Sequence, residues 1–508
     1  MSAHFKFSET LKGLPLLFQI FGLACSLMFV IAIYAFVTDL FREGRIFLYT
    51  GLSGFLLFFL VILSISNRDI RETGFSQLFS LILSFLLLPL FLAIPPWIIL
   101  PNVAMIDIYL DIVSAFTTTG LPIFENEILT RPIHLWRALV AWFGGGLIWI
   151  AAFVILLPAN FGGFEMLSNK KGSANAIRNL TLDERSMTLN KVGRRLIPIY
   201  VALTVMLWAM LTSLGTNGFT SLIRALSVIS TSGMTGPQKF ESDGAGFFGE
   251  LIIILFLFFA LSHNAINFFF HKSRFQKISE DTEIRLGLIL ILSVTALLTF
   301  NKLINLDFYS NISMTFATIA KIVWGNFFTI FSFITTNGYF SSYWNLSSSS
   351  SGNSLIILIF MGLCLFGGGI ATTAGGIKLL RISILFSAFS NETGKQLHPS
   401  LITGKKGPAS NFKLSLFMAW ILFMLFIVSL AFLTIILAMF EMFFEDALLL
   451  AVACLTTTGP ILQIIGIEKH FFVDLQFFSK IALIVSMVLG RLEILVALSL
   501  ITFSFRKV

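Results

Sequence analysis

Long apolar runs restrict the backbone of this chain to few structures. Ten runs have the ~20 apolar residues that a helix needs to cross the hydrocarbon of a bilayer. They lie at approximately 13–36, 46–65, 78–100, 134–157, 196–214, 247–269, 286–304, 353–385, 413–440 and 473–504. Because lipid offers no hydrogen-bond partners, a crossing segment must satisfy its own backbone groups, and a helix does so. We therefore predict an all-α polytopic membrane protein. The eighth and tenth runs are long and interrupted, which indicates a tilted or broken helix.

The composition excludes soluble enzymes, secreted disulfide scaffolds and disordered proteins. Charged residues make up 12% of the 508 residues, about half the usual share in a soluble protein. Cys25, Cys364 and Cys454 are too widely spaced for a disulfide framework or a CxxC metal pair. The first apolar run is longer than the apolar core of a signal peptide, so we expect it to be retained.

The positive charge predicts the orientation. The net charge is +8. If the N-terminus is cytoplasmic, most of the 34 Lys and Arg residues lie in terminal or connecting segments that are also cytoplasmic. The positive-inside rule then places both termini in the cytoplasm, and it explains the basic residues without nucleic-acid binding. No extramembrane stretch is long enough for a folded domain, so any soluble partner is a separate polypeptide.

A seven-residue pattern recurs four times in weaker apolar segments between the runs. It reads small, any, apolar, Thr or Ser, Thr, polar, Gly, and its last residues are Gly120, Gly233, Gly338 and Gly459, spaced 113, 105 and 121 residues apart. Internal repeats of this kind are typical of transport proteins. We predict two N-terminal helices (1–77) followed by four helix–pore loop–helix repeats around one pseudo-fourfold pore. The predicted repeats are 78–195, 196–285, 286–412 and 413–508.

The segment that precedes the first copy is too short to span a membrane. Residues 104–116 would form a helix ~20 Å long at 1.5 Å per residue, against ~30 Å of hydrocarbon. The chain must enter partway and return, and such backbone survives where it lines water or is buried in protein. Four such loops could surround a pore, with the negative end of each short helix favouring a cation.

We predict that the Thr-rich end of each loop is an extended strand, which can point successive carbonyl oxygens at a common axis and so replace the hydration shell of a cation. Gly adopts backbone angles that other residues resist. A single copy is as well explained by hydrogen bonding between membrane helices, but four matched copies favour an ion filter. The predicted potassium-binding residues are Thr117, Thr118, Thr119, Gly120, Ser230, Thr231, Ser232, Gly233, Thr335, Thr336, Asn337, Gly338, Thr456, Thr457, Thr458 and Gly459.

The chain resembles the Trk/Ktr/HKT superfamily of potassium transporters, and in particular its TrkH-type subunit. The resemblance covers about residues 10–505. It is carried by the loops, by 105–120, by the glycine-rich stretch 366–381 and by 489–494. It implies a homodimeric, multi-pass protein of the bacterial inner membrane that translocates potassium, has no cofactor of its own, and is gated by a cytoplasmic ring of nucleotide-binding TrkA-type subunits. All four filter glycines are present, which in this family favours potassium. Ser230, Ser232 and Asn337, and Pro122 and Pro460 after two filters, depart from the family pattern.

A gate is predicted from residues that suit neither a regular helix nor lipid. The stretch of Gly, Ala and Thr within 366–376 is poor helix, so we expect an unwound flap beneath the filter rather than close helix packing. Arg491 lies inside an apolar run, where a charge is costly. It could form an electrostatic barrier, pair with Glu493 or snorkel. The predicted gate residues are Gly367, Gly368, Gly369, Ala371, Thr372, Thr373, Gly375, Gly376, Lys378 and Arg491, with Arg381 as a second anchor beside Lys378.

Other polar or small residues receive weaker interpretations. Gly144, Gly145 and Gly146 are interpreted as packing, and His263, beside Asn264 and Asn267, as structural. Asp107 and Asp111 share one face of the first short helix, where they could attract cations, cap the helix or face solvent.

A coupled cation symporter remains the alternative function, although it needs an ionisable residue in the transport path. An enzyme is not predicted, because the sequence has no HExxH or GxSxG motif.

Overall fold

The computed structural model describes residues 16–65, 74–152, 182–237, 246–261, 282–309, 316–344, 354–369, 372–397, 409–440, 442–464 and 471–492. The regular elements of these residues are helices. They are α1 (Leu16–Val37), α2 (Phe41–Ile65), α3 (Gly74–Leu92), α4 (Ile94–Ile99), α5 (Met105–Phe116), α6 (Arg131–Ala151), α7 (Leu182–Ser213), α8 (Gly218–Ser230), α9 (Gly246–Leu261), α10 (Thr282–Tyr309), α11 (Phe316–Ile334), α12 (Ser354–Leu365), α13 (Leu379–Leu397), α14 (Ala409–Met439), α15 (Phe444–Leu455), a 3₁₀ helix (Gly459–Ile464), α16 (Phe471–Asp474) and α17 (Phe477–Leu492).

Eight helical stretches within these residues are long and apolar enough to cross a membrane. Seven coincide with predicted spans, and the eighth is Phe316–Ile334, the short-segment position before the third Thr-rich loop. The predicted spans at 247–269, 353–385 and 473–504 contain shorter described helices, and the second of these breaks between α12 and α13. The predicted all-α polytopic membrane fold is confirmed. The repeat boundaries stay a prediction.

Proline and asparagine fix several helix starts. Pro95 and Pro96 occupy the first turn of α4, and Pro132 the first turn of α6. Proline suits this position because the first helical N–H groups have no partner within the helix. Asn217 caps α8, since its side chain accepts a hydrogen bond from the Phe219 N–H at 3.1 Å. These signals help to place α6 and α8 beside the Thr-rich loops.

The helices α5, α8, α11 and α15, which precede the four loops, are surrounded by the other helices. Helix α5 packs against α3, α6 and α17, whereas α8 packs against α6, α7 and α9. Helix α11 packs against α9, α10 and α12, and α15 packs against α12, α14 and α17. Helices α8, α11 and α15 therefore each contact the helix that follows the preceding loop, and α5 contacts α17, which follows the fourth loop. The arrangement closes on itself.

Candidate functional site

Each of the four central helices ends at a copy of the repeated pattern. Helices α5, α8, α11 and α15 end at Phe116, Ser230, Ile334 and Leu455. All of the predicted filter residues that follow are buried. The C-terminal end of a helix carries a partial negative charge. Four such ends therefore meet at one buried place.

The backbone of each loop turns left-handed at the fifth position of the pattern, which is threonine in all four copies. The φ angles are 56° at Thr118, 54° at Thr231, 56° at Thr336 and 54° at Thr457. A β-branched residue adopts this region only when the surrounding structure imposes it. Three of the loops turn left-handed again two residues later, at Gly120, Gly233 and Gly338, with φ of 69°, 64° and 76°. The loops are therefore not the extended strands that the sequence predicts.

In each loop, the N–H group of the residue after the left-handed threonine bonds back to the preceding helix. The acceptor is the carbonyl of the first, small residue of each pattern. The bonds are Thr119 N–H to Ser114 O at 2.8 Å, Ser232 N–H to Ser227 O at 3.0 Å, Asn337 N–H to Ser332 O at 2.9 Å, and Thr458 N–H to Ala453 O at 2.9 Å. In a trans peptide unit the carbonyl lies opposite the N–H of the next residue. The carbonyls of the four left-handed threonines therefore face away from the helices.

The four loops touch in cyclic order. A Cβ atom added to Gly120 would lie well inside 3.0 Å of the Ser232 carbonyl, and one on Gly233 would clash likewise with the Asn337 carbonyl. A Cβ on Gly338 would be 2.8 Å from the Pro460 side chain, and one on Gly459 would be 2.7 Å from the Thr119 carbonyl. Only glycine allows the first two approaches. We call this closed arrangement the loop ring.

Two of the four seams in the loop ring carry hydrogen bonds. The Gly459 N–H donates to the Thr119 carbonyl at 2.6 Å. The Gly233 N–H donates to the Asn337 Oδ1 at 3.3 Å. Gly459 differs from the other filter glycines because it begins a 3₁₀ helix and its φ is not positive. The following Pro460 has a fixed φ that suits the start of a helical turn.

Hydroxyl groups at the first and third threonine positions bond to each other within a loop. The distances are 2.8 Å for Thr117–Thr119, 3.2 Å for Ser230–Ser232 and 3.3 Å for Thr456–Thr458. In the third loop, Asn337 takes the third position and reaches the second loop instead. These hydroxyl groups therefore stabilise the loops. The carbonyl oxygens of the left-handed threonines are available as ligands for an ion.

The glycine-rich segment interrupts the helix beneath the loop ring. Residues 366–369 and 372–378 are not helical and join α12 to α13; Ala371 lies outside the described residues. The backbone of Gly375 packs against Thr456 and Thr457, and its N–H donates to the Thr336 hydroxyl at 2.9 Å. The Gly368 N–H donates to the Ile334 carbonyl at 3.1 Å. The segment therefore contacts the ends of two central helices.

The remaining predicted gate residues fold the segment on itself. Gly367 packs against Gly375, and Gly376 has a positive φ of 69°. The Thr372 hydroxyl donates to the Gly369 carbonyl at 2.8 Å, and the Lys378 ammonium donates to the Ala374 carbonyl at 2.6 Å. Arg381 is buried in the first turn of α13.

Arg491 reaches the same segment from α17. It is 7% exposed, and its Nη1 donates to the Thr373 carbonyl at 2.6 Å. Its Nε and Nη2 have no hydrogen-bond partner in the part of the chain that the structure describes. The Thr373 carbonyl also accepts from the Thr231 hydroxyl at 2.8 Å. Arg491 is therefore directed at the ring, and Glu493, considered as its partner, lies outside the described residues, as do His263, Asn264 and Asn267.

The two aspartates of α5 do not face solvent, so the solvent-facing and cation-attracting interpretations are wrong. Asp107 forms an ion pair with Lys480 of α17 at 2.5 Å, and Asp111 pairs with Arg137 of α6 at 2.7 Å. Each aspartate is 3% exposed. Asp107 also forms no side-chain cap of α5. The protein supplies their counter-charges, so they hold helices together.

Sequence reasoning missed Lys480, Arg137 and Glu250 as structural partners. Glu250 of α9 is fully buried and accepts hydrogen bonds from Trp324 and from Ser341, which follows the third filter. A charged residue inside an apolar run was the available signal.

The interpretation of Gly144 as packing agrees with its position, where an added Cβ would clash with the last carbonyl of α5.

An all-helical membrane fold whose buried centre is a ring of oxygen-bearing loops defines a polytopic membrane transport protein. No family model matches the chain. It is 26% identical over 420 residues to the Trk system potassium uptake protein TrkH of Escherichia coli K12, with 80% of each chain covered. It is 24% identical over 436 residues to the Trk system potassium uptake protein TrkI of Halomonas elongata, covering 83% of this chain and 82% of the relative.

The fold matches a solved structure over nearly its whole length. The crystal structure of the potassium transporter TrkH from Vibrio parahaemolyticus aligns with a TM-score of 0.76 and 21% identity, covering 96% of this chain and 98% of that one. The chain is therefore similar over most of its length to TrkH-type potassium uptake proteins, and its fold is that of the TrkH structure. These relatives are named as potassium uptake or transport proteins and not as enzymes, in agreement with the prediction that the chain is not an enzyme.

Proposed function

We propose that this chain translocates potassium ions across the bacterial inner membrane through the loop ring. The observation that carries the proposal is the direction of the loop peptides. The N–H group that follows each left-handed threonine bonds to the preceding helix, so the carbonyls of these four threonines point away from that helix, towards the space that the four loops surround. An oxygen-only cage of this kind suits a dehydrated monovalent cation. The relatives named as potassium uptake proteins support potassium as that cation.

The same site suggests how flow is controlled. The glycine-rich segment contacts the ring at Thr336 and Thr457, on the side where the central helices end. Arg491 adds a buried positive charge to this segment, and a positive charge on the path repels a cation. We infer that the glycine-rich segment and Arg491 together form a closed gate, which opens when the segment moves away from the loop ring.

The family resemblance supplies the proposed partners and orientation. We infer a homodimer with one pore in each protomer, both termini in the cytoplasm, and a TrkA-type nucleotide-binding ring that drives the gate. The relatives' names place them in a Trk system, which is consistent with partner subunits.

Ion flux tests the proposal directly. Purified protein in liposomes should take up rubidium, a potassium substitute, in response to a membrane potential. Single Gly→Ser changes at Gly120, Gly233, Gly338 and Gly459 should increase sodium entry relative to rubidium. Unaltered selectivity in all four variants would remove the filter assignment.

The same liposomes distinguish a channel from the alternative, a proton- or sodium-coupled symporter. A passive pore should equilibrate rubidium according to the membrane potential alone. A coupled carrier should accumulate rubidium when only a proton or sodium gradient is imposed.

A further inference from the structure

The hydroxyl groups of the four left-handed threonines have unequal partners. Two of them bond to the glycine-rich segment: the Thr231 hydroxyl donates to the Thr373 carbonyl at 2.8 Å, and the Thr336 hydroxyl accepts from the Gly375 N–H at 2.9 Å. The Thr118 and Thr457 hydroxyls are buried and have no hydrogen-bond partner among the described residues. Equivalent positions in the four loops thus divide into two satisfied and two unsatisfied groups.

An unsatisfied buried hydroxyl is costly, and it points to a ligand that binds in another state. Each hydroxyl oxygen has lone pairs for a cation as well as a proton to donate. We propose that these four hydroxyls form an inner cation site, and that the closed glycine-rich segment occupies this site, so that cation binding and gate closure exclude each other. This inference rests on the proposed function of the loop ring.

The contacts of Gly375 show why both cannot be present. Its backbone packs directly against the Thr457 hydroxyl and the Thr456 carbonyl. Its N–H, which carries a partial positive charge, already uses a lone pair of the Thr336 hydroxyl. A cation in the ring would meet this N–H instead of open oxygen atoms. It must therefore displace the segment.

The positive charge of Arg491 strengthens the exclusion. The guanidinium donates to the Thr373 carbonyl, which also accepts from the Thr231 hydroxyl. Like charges repel strongly where water is excluded. A cation that binds the inner site therefore repels the group that holds the segment closed. By linkage, cation binding shifts the segment towards its open state.

Hydrogen exchange of the segment measures this coupling. Full-length protein in nanodiscs is compared in potassium chloride and in choline chloride at equal ionic strength, and exchange is followed in peptides covering 366–378. Choline is too large for the site. We expect potassium to accelerate exchange in a saturable manner, because it releases the Gly368 and Gly375 N–H groups from their acceptors.

Threonine-to-valine variants separate the two kinds of hydroxyl. Thr231→Val and Thr336→Val each remove one bond to the segment, so exchange in choline should rise about 2- to 10-fold. The matched variant Thr118→Val removes a site hydroxyl that forms no hydrogen bond with the segment among the described residues. It should leave exchange in choline as in the wild type and shift the potassium dependence to higher concentration. Thermal melting of each variant verifies that it is folded.

The outcome is decisive in combination with rubidium flux. Exchange that is the same in potassium and choline, in protein that transports rubidium, would overturn the inner site and leave the proposed function intact. Equal acceleration by Thr118→Val and Thr231→Val in choline would also overturn it. Wild-type liposomes that do not take up rubidium would refute the proposed function and the inner site together.

Discussion

Alanine substitution of the filter glycines should impair selectivity in an order set by the ring contacts. At Gly120 and Gly233 an added methyl group would clash with a neighbouring carbonyl, so the adjacent backbones must separate by about 1 Å. Both also have a positive φ, which adds ~1–2 kcal/mol of strain for a residue with a Cβ. At Gly338 the φ is positive but the contact is with the side chain of Pro460 at 2.8 Å, which can shift by a few tenths of an ångström.

Gly459 lacks the backbone strain, because its φ is not positive, but an added Cβ would meet backbone atoms at 2.6–2.7 Å. If the strain is relieved by opening the carbonyl cage, ~1–2 kcal/mol corresponds to a loss of about 5- to 30-fold in selectivity. We therefore expect this loss for Gly120→Ala and Gly233→Ala, which combine backbone strain with a backbone clash, and a smaller loss for Gly338→Ala and Gly459→Ala, which each lack one of the two.

The ratio of rubidium to sodium uptake by liposomes measures the effect. Gly215→Ala is the matched control, because Gly215 has a φ of 88° and no atom within 4 Å of an added Cβ. It carries the backbone strain without the ring contact, and its selectivity should remain that of the wild type. A uniform loss across the four filter variants, or the largest loss at Gly459, would refute the argument from ring contacts.

Three further substitutions test individual contacts. Arg137→Met leaves Asp111 buried without its counter-charge, which should cost ~3–5 kcal/mol of stability and lower the melting temperature; adding Asp111→Asn should recover most of the loss, and no recovery would contradict the pairing. Asn337→Thr removes the acceptor that joins the second and third loops, so the rubidium-to-sodium ratio should fall about 2- to 10-fold, and an unchanged ratio would show that this seam is dispensable. Gly144→Ala should destabilise the protein far more than Gly146→Ala, because the first methyl group meets a backbone carbonyl and the second a side chain at 3.1 Å; equal melting temperatures would contradict this.

The sequence predicted the positions of the loops because their pattern is local. The starts and ends of α5 and α15 follow from short apolar segments with Thr-rich ends. The same length criterion does not separate α11 from a membrane span, since Phe316–Ile334 is long and apolar enough to cross. Only its contacts with the other loops distinguish it.

The backbone conformation of the loops could not be predicted from residue type. Sequence reasoning assigned unusual dihedral angles to glycine alone, whereas Thr118 and its three equivalents are also left-handed. A β-branched residue has no local preference for that region. The conformation is imposed by hydrogen bonds to the small residue that starts each pattern, such as Ser114, whose carbonyl accepts the Thr119 N–H. The pattern identified the small residue but not its role as a hydrogen-bond acceptor.

Sequence reasoning missed the ion pairs of α5 because they join residues that lie far apart in the sequence. The same holds for the contact that closes the loop ring. Asp107 pairs with Lys480, and the Thr119 carbonyl accepts from Gly459, so both contacts join the first loop to the last repeat. No pattern along the sequence connects positions so far apart. The seam between the fourth and first loops therefore depends on contacts of high sequence separation. Without these contacts, the first three loops touch in order but do not form a closed ring. The proposed carbonyl cage is thus a property of the closed ring and not of any single loop.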